Sequence, residues 1–265
     1  MKVKTYLKAS SIDEAYQVLQ ESTENAILGG GAWMKLSTKK VNTLISLDEL
    51  DLKGIEEQDG FIRIKSMTTL REIETSPLIQ AIGGGVITNS LSQIMGVTIR
   101  NIATIGGSIV SKFGFSDLIP VLLVLDTKLV FHKHGEISLK AYLESKIVGR
   151  DILVEVLIKK CDSLVFFKKV KTTALDFAIL NICVGKTQEG FKIAVGSRPG
   201  LAELAIQSMN YLNGCHTVGE EEIAKAALMV VEEIHFSSNQ RAQKEYREQL
   251  AEVYVRRGLK EVLSI

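Results

Sequence analysis

Cysteine is scarce. The three cysteines, Cys161, Cys183 and Cys215, are isolated, with no C-x-x-C spacing, which excludes a disulfide framework and leaves no thiolate set for an iron–sulfur cluster or a zinc ion within this chain. Proline is equally rare, three in 265 residues, and the composition has none of the proline and glycine excess of low-complexity sequence. Long apolar runs are missing as well: residues 118–125, between Asp117 and Asp126, form the longest, too short for a membrane span. The first ten residues, MKVKTYLKAS, carry no signal-peptide core, so a reducing cytoplasm is expected. Net charge is absent too. With 32 basic and 31 acidic residues the formal charge is +1, which gives no electrostatic footprint for a phosphate backbone, and nucleic acid is not an expected partner.

What the chain has is a core. Hydrophobic residues make up 46% and charged residues 24%, enough to build two packed units. Residues 11–20 predict a helix with capping-box spacing at Ser11 and Glu14. A short strand at residues 26–28 runs into Gly29-Gly30-Gly31, and β character resumes at residues 43–47. FIRIKS predicts a strand, TTLREIETSPLI and VITNSLSQIM predict helices around Gly83-Gly84-Gly85, and LIPVLLVLD reads as an apolar helix before the strand TKLVFH. The first unit is expected to close near residue 150, with subdomains of about 1–52 and 53–150. In the remainder, 151–265, DILVEVLI, LVFFKKVK, DFAILNICVGKT and QEGFKIAVGS read as strands, followed by three helices. The last, from about residue 240 to 263, sets Tyr246, Leu250, Val253, Tyr254 and Arg257 at three-and-four spacing. Strands followed by helices give an α+β class.

The chemistry is concentrated in glycine. A loop without side chains lets backbone N–H groups reach a phosphate, although a single glycine run is as readily a turn. GGGAWM lacks the final glycine of G-x-G-x-x-G, and no P-loop ending occurs. Two glycine segments, LGGGAWM and TIGGS, therefore call for a ligand with phosphates between long arms. His132 and His134 share a strand face but lack a third ligand, so they are expected to face solvent and no metal site is assigned. No Ser/His/Asp or Cys/His arrangement supports hydrolysis, and no catalytic side chain is assigned. Lys168, Lys169 and Lys171 read as a solvated strand edge, or as a source of one cation for an anionic cofactor.

In order along the chain, LGGGAWMKL, SMTTLREIETSPLI, IRNIATIGGSIVSKFGFSDLIPVLLVLD and FFKKVKTTALDFA resemble the FAD-binding subunits of the xanthine dehydrogenase and carbon monoxide dehydrogenase family. The resemblance covers nearly the whole chain, and residues 99–126 carry its most specific part, I-R-N-x-x-T-I-G-G followed at fixed distance by Asp-Leu-x-Pro. It implies a two-part FAD-binding domain of the PCMH type, like that of vanillyl-alcohol oxidase. A carbon monoxide dehydrogenase flavoprotein-like C-terminal α+β domain, covering the isoalloxazine ring, would follow. Ile27, Leu28, Gly29, Gly30, Gly31, Ala32, Trp33 and Met34, with Thr104, Ile105, Gly106, Gly107 and Ser108, would grip the FAD pyrophosphate through backbone N–H groups. Asp117 would accept from sugar or ribityl hydroxyls, and could also cap the helix at Leu118. Ile94, Leu153 and Lys168 match positions near the cofactor, Lys168 preferred to Lys169 because it directly follows Phe167. The chain departs from the pattern at Trp33, Ile102, Ser108, residues 113–115 and Thr172-Thr173.

By the same resemblance, the chain is one member of a heteromeric molybdenum hydroxylase. An iron–sulfur subunit and a molybdopterin-binding subunit would be its partners, holding the clusters and the molybdenum cofactor. Electrons would pass through FAD to NAD or another acceptor, and the complex would act on a purine or other nitrogen heterocycle. Two alternatives remain at this point: a scaffold of the same fold that has lost FAD, and a stand-alone flavin oxidoreductase.

Overall fold

The computed structural model describes residues 1–160, 162 and 164–264, the side chain of Lys35 excepted, so Cys161 lies outside the described residues. Two compact units interleave along the sequence. One takes Met1–Leu78, Val97–Ser111 and Thr127–Lys159; the other takes Ile79–Gly96, Lys112–Asp126 and Lys160–Ile265.

The first unit holds two sheets. A parallel three-stranded sheet has the order Lys2–Lys8, Lys40–Ser46, Ala26–Leu28, with helix Ile12–Glu21 packed on it through Ala15 and Leu19. Ser11 caps that helix by accepting from the Glu14 amide. The Glu14 carboxylate returns to the amide and hydroxyl of Ser10, one residue before the capping-box partner the spacing implies. A five-stranded antiparallel sheet has the order Ile55–Gln58, Phe61–Lys65, Leu153–Lys159, Lys128–Phe131, Gly135–Ser138. DILVEVLI therefore belongs with the strands that precede it: Ile62 pairs with Ile158 and Leu129 with Val156. The strand was expected beyond a boundary near residue 150, and chain order alone carries no sign of that return.

In the second unit an antiparallel sheet runs Glu203–Leu204, Gly190–Gly196, Leu180–Thr187, Val165–Val170. Leu180, Ile182 and Val184 point into one core with Met209, Ile223, Val230, Ala251 and Leu259 of the three C-terminal helices, Ile206–Gly214, Glu220–Glu233 and Lys244–Leu263. The alternate residues of the sheet meet helix Leu118–Val124, every residue of which is buried, as expected of a helix apolar all round. Small residues make this approach possible: a Cβ on Gly196 would lie 2.7 Å from Pro120, and one on Gly185 2.8 Å from Val124.

The last helix buries a stripe that only partly matches the one its aromatic spacing marks, with Leu250 and Tyr254 packed against the core. Arg247, Ala251, Val255, Gly258 and Leu259 face inward, while Tyr246 and Val253 are exposed. Gly258 decides the rotation, since its Cα side lies against Phe166 and Val184 where any Cβ would clash. His132 also departs from expectation. Its Nε2 lies 2.9 Å from Asp13 Oδ1 and its ring meets Tyr16 edge-on, whereas His134 is exposed.

A buried ion pair ties helix Leu70–Thr75 to helix Val97–Arg100. Arg100 Nε donates to Glu74 Oε2 at 2.8 Å and Nη2 to Oε1 at 3.2 Å, with Arg71 adding a third contact at 2.9 Å. Burial by itself would raise the Glu74 carboxyl; the two guanidinium groups hold it below its ordinary value. The stabilisation is thus complete above the ordinary glutamate value and is lost as pH falls through the lowered folded value. Arg100→Met should cost about 3 kcal/mol in urea unfolding at neutral pH, because the carboxylate stays buried with half its pairing gone. The difference from the parent should shrink in acid.

Candidate functional site

Strand Ala26–Leu28 ends at glycines for a steric reason. Gly31 has φ +66°, in the left-handed region that glycine enters at no side-chain cost. Gly30 is more constrained still, since a Cβ there would sit 1.3 Å from the Ile102 carbonyl oxygen. Gly29 faces the other segment as well, its Cβ position 3.0 Å from Thr104 Oγ1 and 3.7 Å from Gly107 Cα. Two bends about seventy residues apart in sequence are therefore in backbone contact.

The second segment is the start of helix Ile105–Val110, capped by Thr104, whose Oγ1 accepts from the Gly107 amide at 3.2 Å. Most of its amides are engaged within the chain. Ile105 N donates to Thr68 O, Gly106 N to Ser66 O and Ser108 N to Thr104 O. The amides of Ile105, Gly106 and Ser108, expected to meet a phosphate, already have acceptors within the chain. Gly106 serves close packing, its Cβ position 2.8 Å from Ser66 O. In the first segment the reverse holds: among the described residues, the amides of Gly30, Gly31 and Ala32 donate to no backbone carbonyl.

Together the segments wall a cavity of about 220 Å³. Ligand pockets usually span about 300–1,000 Å³, so this one suits a portion of a larger molecule. It brings together Ile27, Gly29, Gly30, Gly31, Ala32, Trp33, Met34, Thr104, Gly106, Gly107, Ser108 and Leu153 of the expected site. Leu28 and Ile105 do not line it: Leu28 is paired in its strand with Ser46, and Ile105 is buried in the core. Sequence reading missed Leu47, Ser66, Met67, Ala103, Val110, Ser111, Asp151 and Ile152. Among the described residues Asp151 is the one ionisable side chain of the lining, and its oxygens accept from the amides of Lys133, His134 and Ile152. Unengaged amides and glycines that admit close approach make a donor set suited to a phosphate ester.

Ile94, Asp117 and Lys168 belong to the second unit. There the cation nearest Asp117 is Lys169, not Lys168. Lys169 Nζ is buried and donates to Asp117 Oδ2 at 2.7 Å and to the Gln93 carbonyl, next to Ile94, at 3.0 Å. Asn181 Nδ2 donates to the other carboxylate oxygen at 2.9 Å. Asp117 stands at the N-cap position but makes no side-chain cap; Ser116 Oγ accepts from the Ile119 amide instead. Burial pushes the Asp117 carboxyl up, while Lys169 and Asn181 pull it down. Lys168 is exposed, and its ammonium lies 5.4 Å from the Tyr254 ring centre.

Residues 1–158 match the family model described as the FAD binding domain in molybdopterin dehydrogenase, and residues 165–262 match the CO dehydrogenase flavoprotein C-terminal domain. The chain belongs to this FAD-binding family. FAD is accordingly its cofactor, and the free amides and the glycine stretch of the cavity wall fit a diphosphate. The α+β class and the two-part division into FAD-binding and flavoprotein C-terminal folds follow. YgfM, an uncharacterized protein of Escherichia coli K12, is 25% identical over 209 residues, 77% of each chain. A putative xanthine dehydrogenase FAD-binding subunit of the same organism, XdhB, is 28% identical over 134 residues, covering 48% of this chain and 46% of that one. Among solved structures, a chain of carbon monoxide dehydrogenase from Hydrogenophaga pseudoflava superposes with a TM-score of 0.88 at 20% identity, over 100% of this chain and 98% of that one. No helix among the described residues is long and apolar enough to cross a membrane.

Gly30→Ala should abolish retention of FAD through desalting, read as flavin absorbance, because the Ile102 carbonyl has to move. Gly214→Ala, with open space at its Cβ position, should retain it. Lys169→Met should lower unfolding stability by about 3–5 kcal/mol, since it leaves the Asp117 carboxylate buried without its cation.

Proposed function

We propose that the chain is the FAD-binding subunit of a molybdenum-containing hydroxylase or dehydrogenase of the xanthine dehydrogenase type. It relays electrons from iron–sulfur clusters of a partner subunit to NAD or another acceptor. A further partner subunit carries the molybdopterin, and the complex acts on a purine or other nitrogen heterocycle. The observation that carries this reading is the backbone contact between the two glycine segments, which sets the free amides of Gly30, Gly31 and Ala32 on the wall of one cavity. The name of XdhB, a relative over about half the chain, supports the choice of complex.

FAD supplies the redox chemistry, exchanging electrons singly or in pairs. The chain's residues bind and orient it. Amides of the first glycine segment meet diphosphate charge, the Gly107 amide and the Thr104 hydroxyl adjoin them, and Met34, Met67, Ile152 and Leu153 keep the cavity wall apolar and exclude water. Ile94, Asp117 and Lys168 are the further positions proposed to serve the cofactor, with Lys169 fixing Asp117. No side-chain acid or base is assigned a step. The three isolated cysteines support the placing of the clusters in another subunit.

The test is the visible spectrum of the purified protein after FAD addition and desalting, repeated with Gly106→Val and Gly107→Val combined. Flavin absorption retained by the parent and lost in the double variant is expected. A parent that takes up no FAD would contradict the reading and leave a scaffold subunit. Turnover of a soluble donor by the isolated chain would instead favour a stand-alone oxidoreductase.

A further inference from the structure

Ser66 is an unusual residue for its position. It follows strand Phe61–Lys65 directly, continuing the alternation of buried Ile62 and Ile64 into the turn, and is 3% exposed. Its backbone is fixed at both ends: its amide donates to Val154 O at 2.8 Å, and its carbonyl accepts from Gly106 N at 2.9 Å. The hydroxyl has no such tie. Among the described residues, Ser66 Oγ is buried and has no hydrogen-bond partner, and Ser66 lines the cavity of the glycine segments. A buried hydroxyl without a partner is unfavourable, so such a group points to something that binds there.

The rest of the wall indicates what that is. The amides of Gly30, Gly31 and Ala32 are donors without a backbone acceptor, and Thr104 Oγ1 already accepts from Gly107, which leaves its own hydrogen to donate. The carboxylate of Asp151 is taken up by three amides. A wall rich in donors is complemented by a ligand rich in acceptor oxygens, and a phosphate provides them. We propose that Ser66 is a cofactor-binding residue whose hydroxyl donates a hydrogen bond to a phosphate oxygen of FAD. The proposal rests on the reading that this cavity takes FAD.

Ser66→Ala separates a binding role from a structural one, because removing an orphaned hydroxyl does not harm the unliganded fold. The purified chain and the variant are titrated with FAD, melted without it, and compared by phosphorus NMR with FAD bound. FAD affinity should fall about tenfold or more, the melting temperature of the unliganded protein should be unchanged or higher, and the phosphorus resonances of bound FAD should shift. Unaltered FAD affinity would overturn the proposal and assign the hydroxyl to a buried water. Affinity and unliganded stability falling together would make Ser66 structural, and unshifted phosphorus resonances would place its contact away from the phosphates. Should the parent itself bind no FAD, the cofactor reading fails first and this proposal with it.

Discussion

The carbonyl oxygen of Ile102 lies 1.3 Å from where a β-carbon on residue 30 would have to be, so these two stretches of backbone can touch only while residue 30 is glycine. That contact aligns the end of strand Ala26–Leu28 with the turn leading into helix Ile105–Val110. Several interactions converge to hold it. The Arg100–Glu74 pair anchors the helix just before Ile102, Ala103 O accepts from the Leu70 amide, and Ile105 N and Gly106 N reach back to Thr68 and Ser66. The hydrogen bonds that fix the second segment are thus the ones that remove its amides from the ligand's reach.

The two glycine segments consequently have different work. The first keeps its donors free and supplies electrostatic complementarity. The second is satisfied internally and supplies shape, with Gly106 packed on Ser66 and Gly107 held by the Thr104 hydroxyl. A scaffold rigid before it binds loses less conformational entropy on binding. In the second unit, the buried Lys169–Asp117–Asn181 network fastens the residue before Ile94 and the start of helix Leu118–Val124 to the sheet.

Much of this was legible in the sequence because glycine and apolar periodicity are local signals. The glycine runs at residues 29–31 and 106–107, the capped helix after Ser11 and the all-apolar helix after Asp117 each declare themselves within ten residues or so. What was not legible depends on contacts distant in sequence. The return of strand Leu153–Lys159 to the first sheet leaves no mark in its own composition. The burial of Lys169 was legible from strand parity, since a period of two places it with Val165 and Phe167 on the buried face and leaves Lys168 on the other. Ser66 was likewise readable as the polar end of an apolar stripe, yet its missing partner is visible only in three dimensions. In the long C-terminal helix Leu250 and Tyr254 pack as their spacing implies, but the centre of the buried stripe is set by Gly258 and Arg247, whose contacts are distant in sequence.

Amide hydrogen exchange resolved to single residues, with and without FAD, tests the division of work between the two segments most directly. The account predicts that Ile105, Gly106 and Ser108 are protected before FAD is added, and that Gly30, Gly31 and Ala32 exchange readily until FAD slows them. FAD binding that leaves residues 30–32 exchanging at their free rate would contradict it.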